Sequence, residues 1–135
     1  MGTLIDTNVL VAAERGSTDL ETIAKTYDDD VYISVITVSE MLHGMHRATS
    51  RPIRERRSRF IFGLLDLIPL VTIDLEVARE HARIWATLAE KGNMIGMNDA
   101  WLAATCIANG FAIATSNIRE FERVPKLQIA AWSVT

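Results

Sequence analysis

The chain has 135 residues, the size of one ordinary domain, and 49% of them are apolar, which excludes a disordered or collagen-like protein. The net charge of −3 argues against a general nucleic-acid binder, and the single cysteine excludes an internal disulfide. No segment is typical of a signal peptide or a membrane span, so we expect one soluble, cytoplasmic domain over residues 1–135.

Apolar β-branched runs alternate with amphipathic segments along the first half of the chain. The predicted elements there are a strand over Thr3–Ile5, a turn over Asp6–Asn8, a helix from Val9 to about Gly16, a helix over Asp19–Tyr27, an acidic turn over Asp28–Asp30, a strand over Val31–Val35 and a helix from Thr37 to about Ala48.

The second half of the chain continues the same alternation, with glycines at several predicted helix ends. Its predicted elements are helices over Ile53–Leu67, Asp74–Lys91 and Asp99–Asn109, a helical turn over Asn117–Glu122, and strands over Leu70–Ile73, Ala112–Ala114 and Leu127–Ala131. Strands that alternate with helices predict an α/β protein with three layers, α/β/α, around a central parallel sheet of about five strands.

Four polar side chains fall where such a sheet binds ligands, at the carboxyl ends of its strands. Asp6 follows the first strand, and Asn117 follows the fourth. Glu40 lies in the first turn after the second strand, and Asp99 opens the helix that precedes the fourth. Although far apart in sequence, these residues can converge at one edge of the sheet.

Each acid also has an ordinary structural interpretation. Asp6 suits a turn, Glu40 can complete a capping box with Thr37, and Asp99 can cap its helix. However, Asp99 shares the helical register of apolar Leu102, so its carboxylate points inward, and buried carboxylates need a partner or a metal ion. Oxygen ligands without paired histidine or cysteine favour Mg²⁺ or Mn²⁺ over zinc.

Four sequence motifs together resemble PIN-domain proteins, and specifically the VapC toxins of bacterial toxin–antitoxin pairs. The resemblance covers essentially the whole chain, with the motifs in the expected order and spacing. The motifs are Leu4–Leu10, Val38–Glu40, Ile95–Thr105 and Ala114–Val124.

The resemblance implies a Mg²⁺- or Mn²⁺-dependent endoribonuclease that hydrolyses RNA with a metal-activated water and leaves 3′-hydroxyl and 5′-phosphate ends. It implies a homodimer that a cognate VapB-like antitoxin inhibits. The family's first three acids match Asp6 and Asp99 as metal ligands and Glu40 as a ligand or an activator of water. Its fourth acid, often an aspartate, is Asn117 here as a weak or indirect ligand, and Glu120 can reach inward to compensate.

An arginine-rich segment, residues 47–59, holds six arginines and one glutamate. We predict that Arg51, Arg54 and Arg57 contact the RNA backbone, whereas a solvated helix face or an antitoxin-docking surface is the alternative.

Three other kinds of protein share parts of this pattern. A catalytically weak or inactive relative that works by binding its partner is consistent with Asn117. A phosphoacceptor domain would use Asp74, after the third strand, but lacks a lysine after the fourth. A haloacid-dehalogenase-like phosphatase needs a second acid two residues after the first, where this chain has Asn8.

Overall fold

The computed structural model describes residues 2–26 and 30–132, except for the side chain of Thr26. Most of the predicted acidic turn and the end of the second predicted helix therefore lie outside the described residues. The strands are β1 (Thr3–Ile5), β2 (Val31–Ser34), β3 (Leu70–Val71), β4 (Ala112–Thr115) and β5 (Ile129–Ala131). The helices are α1 (Thr7–Glu14), α2 (Leu20–Thr26), α3 (Val35–His46), α4 (Arg51–Leu67), α5 (Leu75–Glu90), α6 (Met97–Asn109) and α7 (Ile118–Phe121).

All five strands join one parallel sheet in the order β3-β2-β1-β4-β5. The predicted fold class is confirmed. The chain first adds strands on one side of β1 and then on the other, so the order reverses between β1 and β4. Such a switch point opens a crevice outside the carboxyl ends of the two strands. Thr3 of β1 pairs with Ala112 of β4, and Ile5 pairs with Ala114, which sets the two strand ends side by side.

The sheet divides the core into two parts because successive strand side chains point to opposite faces. Ile5 contributes to the cluster that packs on α1, α3 and α4, and its neighbour Leu4 contributes to the cluster on α5 and α6. Both side chains are fully buried. Covered on both faces, the central strands are held firmly enough to fix the positions of the residues that follow them.

Four helices begin earlier than predicted, and one of them is α4, which starts at Arg51. Thr7 already belongs to α1, so the predicted turn over Asp6–Asn8 is wrong beyond its first residue. Helix α3 starts directly after β2 because the Ser34 hydroxyl accepts a hydrogen bond from the Ile36 N–H and acts as the N-cap. Helix α6 starts at Met97, so Asp99 lies inside its first turn and is not its cap.

The capping box predicted from Thr37 and Glu40 is wrong for the same reason. With Ser34 as the N-cap, Thr37 and Glu40 both lie inside α3, three residues apart and on one face. That face is turned toward α1, which leaves the Glu40 carboxylate available for other contacts. In the part of the chain that the structure describes, no helix has both the length and the apolar character needed to cross a membrane.

Candidate active site

Asp6 lies at the carboxyl end of β1 and is 1% exposed. Its extended backbone (φ −65°, ψ 145°) ends the strand and starts α1. Its Oδ2 accepts a hydrogen bond of 2.7 Å from the Thr115 hydroxyl, at the end of the adjacent β4. Burial raises the pKa of Asp6, the Thr115 hydrogen bond opposes that shift, and the nearby Glu40 charge adds to it. The cost of burying this carboxylate is therefore only partly offset inside the protein.

Glu40 is held beside Asp6 by two threonines. The Thr7 hydroxyl donates to Glu40 Oε1 at 2.9 Å, and it shares a second hydrogen bond of 3.0 Å with the buried Thr37 hydroxyl. Thr7 is the first residue of α1, while Thr37 and Glu40 lie on the facing side of α3. This connection positions a half-buried carboxylate from the second βα unit next to the acid of the first.

Asp99 contributes a third carboxyl group from the first turn of α6. Burial raises its pKa to about 8, together with a hydrogen bond and charge repulsion from Glu120 and repulsion from Asp6 and Glu40. Electrostatic effects of this kind act between groups that are close in a poorly solvated region. The structure thus brings together the three acids that the sequence analysis selected.

Asn117 and Glu120 form the remaining wall of this cluster. Burial alone would raise the pKa of Glu120, but hydrogen bonds from the Gly96 N–H, from Asp99 and from the Asn117 amide lower it overall. The Gly96 and Asn117 contacts measure 2.7 and 2.6 Å. Glu120 therefore places a carboxylate next to Asn117. The Asn117 amide offsets part of the negative charge of Glu120 by donating a hydrogen bond to it.

Two threonines and a glycine at this site were not selected from the sequence. Thr115 accepts a hydrogen bond of 2.8 Å from the Asn117 N–H while it donates to Asp6, so it joins the first and fourth segments of the cluster. A Cβ at Gly96 would lie 3.3 Å from Asp99 Oδ2, so glycine leaves room for that carboxyl group. Thr7 and Thr115 stand next to strand ends, which is the signal that could have identified them.

The donor set of this cluster fits a hard divalent cation. Within residues 2–26 and 30–132, no three His, Cys, Asp or Glu side chains are yet arranged closely enough to hold a metal ion. The acids nevertheless repel one another, which adds to the effect of burial on the pKa of Asp99, and a bound cation would relieve that repulsion. All the donors are oxygen atoms, which Mg²⁺ and Mn²⁺ prefer.

The three arginines predicted to bind RNA lie on α4 and make contacts within the protein. Arg51 is exposed and pairs with Glu55 on the next turn at 3.0 Å. Arg54 donates to the Ala48 carbonyl at 3.2 Å, and Arg57 donates to the Gly44 carbonyl at 2.7 Å. Since a guanidinium has five N–H donors, these bonds leave further donors available.

Other ionisable residues have ordinary structural places. His43 and His46 are exposed on α3. Cys106 is fully buried in the core, and burial raises the pKa of its thiol. Asp74 follows the edge strand β3 and caps α5 by accepting the Val77 N–H at 2.9 Å, which is an ordinary structural role rather than a phosphoacceptor pocket.

Comparison with known proteins identifies the family of the chain. The model of the PIN domain family matches residues 3–127. "Ribonuclease VapC" of Rickettsia bellii is 33% identical over 129 residues, covering 96% of this chain and 95% of that protein. The "tRNA(fMet)-specific endonuclease VapC" of Salmonella typhimurium is 31% identical over 100 residues, 74% of each chain.

Solved structures give the same result. A chain in the crystal structure of VapBC2 from Rickettsia felis, bound to a DNA fragment from their promoter, superimposes with a TM-score of 0.87 at 26% identity. That match covers 98% of this chain and all of the other. Family model, sequence and fold thus agree over nearly the whole length, and the chain belongs to the PIN domain family, among its VapC ribonucleases.

Proposed function

We propose that this protein is a metal-dependent endoribonuclease, a VapC-type toxin that hydrolyses RNA phosphodiester bonds and is inhibited by a cognate VapB-like antitoxin. The observation that carries the proposal is the convergence of Asp6, Glu40 and Asp99 at the switch point of the sheet. An arrangement that buries mutually repelling acids lowers stability, so it is expected where a cation and an anionic substrate meet.

In this proposal Asp6, Asp99 and Glu40 hold a Mg²⁺ or Mn²⁺ ion. The bound cation supplies positive charge to the phosphate oxygens and lowers the pKa of a bound water. Thr115 orients Asp6 through its 2.7 Å hydrogen bond, and Thr7 orients Glu40 in the same way. Asp6 is held further by hydrogen bonds from the backbone N–H groups of Thr7 and Asn8.

Asp99 and Glu120 differ in their protonation. Asp99 keeps its proton at neutral pH in the metal-free protein, since its pKa is raised to about 8. Asp99 would therefore lose that proton if it held a cation. Glu120 fixes the Asn117 amide at 2.6 Å, so Asn117 acts as a donor toward Glu120, while Glu120 supplies the fourth carboxylate.

The inactive, partner-binding alternative depends on Asn117 as a missing acid. Glu120 weakens that alternative because its carboxylate lies within hydrogen-bonding distance of Asn117. With Glu120 the site still has four acidic side chains, although position 117 is an asparagine. We propose three partners for this chain: a cognate antitoxin, a second copy of the chain in a homodimer, and an RNA substrate. Co-purification with the antitoxin tests the first, and light scattering tests the second.

The proposal is tested by RNA cleavage with purified, partner-free protein. Asp6→Asn and Asp99→Asn should each abolish Mg²⁺-dependent cleavage, while Asp66→Asn on the exposed face of α4 should cleave like the wild type. Chelation by EDTA should stop the wild-type reaction, and Mg²⁺ or Mn²⁺ should restore it. Cleavage at the wild-type rate by both site variants would contradict the assigned site, and undiminished cleavage in EDTA would contradict the metal requirement.

A further inference from the structure

A cavity of about 360 Å³ lies between α1, α3 and α4, beside the acid cluster. Its size is at the lower end of the range of small-molecule pockets, about 300 to 1,000 Å³, so it suits one small unit rather than a folded segment. It is lined by Val11, Glu14, Arg15, Glu40, Met41, Gly44, Arg47, Arg57 and Ile61. Glu40 belongs both to this lining and to the proposed active site, so an occupant of the cavity would be adjacent to the reacting phosphate.

The charged lining of the cavity consists of three arginines and two glutamates, Glu14 and Glu40, and the excess of arginine favours an anion. Glu14 is only 6% exposed, and its Oε1 lies 3.1 Å from Arg56 Nε and 3.9 Å from Arg57 Nε. The charge of Glu14 is therefore already balanced within the protein. Arg15 and Arg47 are exposed at the ends of α1 and α3, and in the described part of the chain neither has an ion-pair partner.

The rest of the lining is apolar and open. Val11, Met41 and Ile61 supply aliphatic surface from three different helices. Gly44, on α3, would place a Cβ with no atom within 4 Å, so the absence of a side chain there leaves the space empty. The Gly44 carbonyl, which accepts the hydrogen bond from Arg57, fixes one of the cations at the edge of this space.

We infer that this cavity holds one nucleotide of the RNA next to the scissile phosphate, its phosphate on Arg47 and Arg15 and its base against Val11, Met41 and Ile61. The inference rests on the proposed function, because it assigns the substrate side of the same site. Unpaired cations together with aliphatic surface match the two halves of a nucleotide, an anionic phosphate and a flat, largely apolar base. Arg57, predicted from the sequence to contact RNA, would be part of this subsite, whereas Arg51 and Arg54 lie outside the lining.

Binding measurements test the inference without requiring cleavage. Fluorescence anisotropy of a short, labelled single-stranded RNA of mixed sequence is measured on proteins that all carry Asp6→Asn, so that the RNA stays intact. Arg47→Ala removes a cation and should raise the Kd by about tenfold, as loss of a charged hydrogen bond does. Gly44→Leu fills the cavity and should raise the Kd by a similar factor. Arg47→Ala should also reduce the slope of log affinity against log salt by about one.

Two control variants isolate the cavity from other effects. Gly63→Ala changes the helix propensity of α4 outside the cavity lining, where the new Cβ meets only Leu20 Cδ1 at 3.8 Å, and Arg79→Ala removes an exposed arginine on α5. Each should alter the Kd by less than about twofold, as surface changes do. Circular dichroism confirms that every variant is folded, and the exposed Arg47 provides a variant that does not depend on repacking.

Wild-type RNA affinity in both Gly44→Leu and Arg47→Ala would overturn the inference. If Gly44→Leu keeps its RNA affinity but no longer binds the cognate antitoxin, the cavity belongs to the protein partner and the nucleotide assignment is likewise overturned. These results are separate from those that test the proposed function, since a catalytically inactive protein would still report RNA binding.

Discussion

Replacing Thr115 with valine removes the hydroxyl that joins the carboxyl ends of β1 and β4 while keeping the shape of the side chain. That hydroxyl is fully buried, donates to Asp6 at 2.7 Å and accepts from the Asn117 N–H at 2.8 Å. A hydrogen bond to a charged group contributes about 1.5–3 kcal/mol, and a neutral one about 1 kcal/mol. We therefore expect Thr115→Val to lower the free energy of unfolding by about 3 kcal/mol.

Urea unfolding of the metal-free protein at neutral pH measures this change, provided that the dependence on urea is the same for each variant. Thr105→Val is the matched control because Thr105 is equally buried but donates only to the Trp101 carbonyl of its own helix. A double-mutant cycle with Asp6→Ala isolates the contact and should give a coupling of about 1.5–3 kcal/mol. Equal destabilisation by the two valine variants, or zero coupling with Asp6, would refute the reasoning.

Two further predictions concern the carboxyl groups directly. Burial and neighbouring acids raise the pKa of Asp99 from 3.8 to about 8. Between these two pH values the folded protein holds a proton that the unfolded chain releases. The free energy of unfolding of the metal-free protein should therefore fall as the pH rises. Unfolding in EDTA across this range checks the slope, which Asp99→Asn should flatten; an unchanged slope would contradict the assignment. Gly96→Ala places a Cβ 3.3 Å from Asp99 Oδ2, so cleavage should drop by about tenfold with little loss of stability. Gly63→Ala, whose Cβ makes only an ordinary contact of 3.8 Å with Leu20, should cleave normally. Equal rates for the two alanine variants would show that space at Gly96 does not matter.

The fold class was predictable from the sequence because its signals are local. Each strand is a short run of apolar residues, and β1 was predicted with its observed bounds, Thr3–Ile5. The inward direction of Asp99 also followed from local spacing, since it shares a helical face with Leu102, which is fully buried. The remaining acids were found from their places after strands, a rule that holds for parallel sheets in general.

Helix starts were less predictable, because several residues can cap a helix and tertiary contacts select among them. Thr37 and Glu40 have the spacing of a capping box, yet Ser34 caps the helix and frees both side chains to face Thr7. The sequence alone could not show that choice, since the competing hydrogen bonds link residues about thirty positions apart.

The order of strands and helices, the acids at their ends and the resemblance to one family could all be read from the residues in chain order. The surroundings of those acids depend on how the chain folds. The hydroxyl of Thr115 reaches Asp6 across 109 positions of chain, and Glu120 meets both Asn117 and Gly96. Periodicity and propensity describe neighbours along the chain, whereas the charge state of a buried carboxyl group depends on which distant atoms the folded chain places beside it.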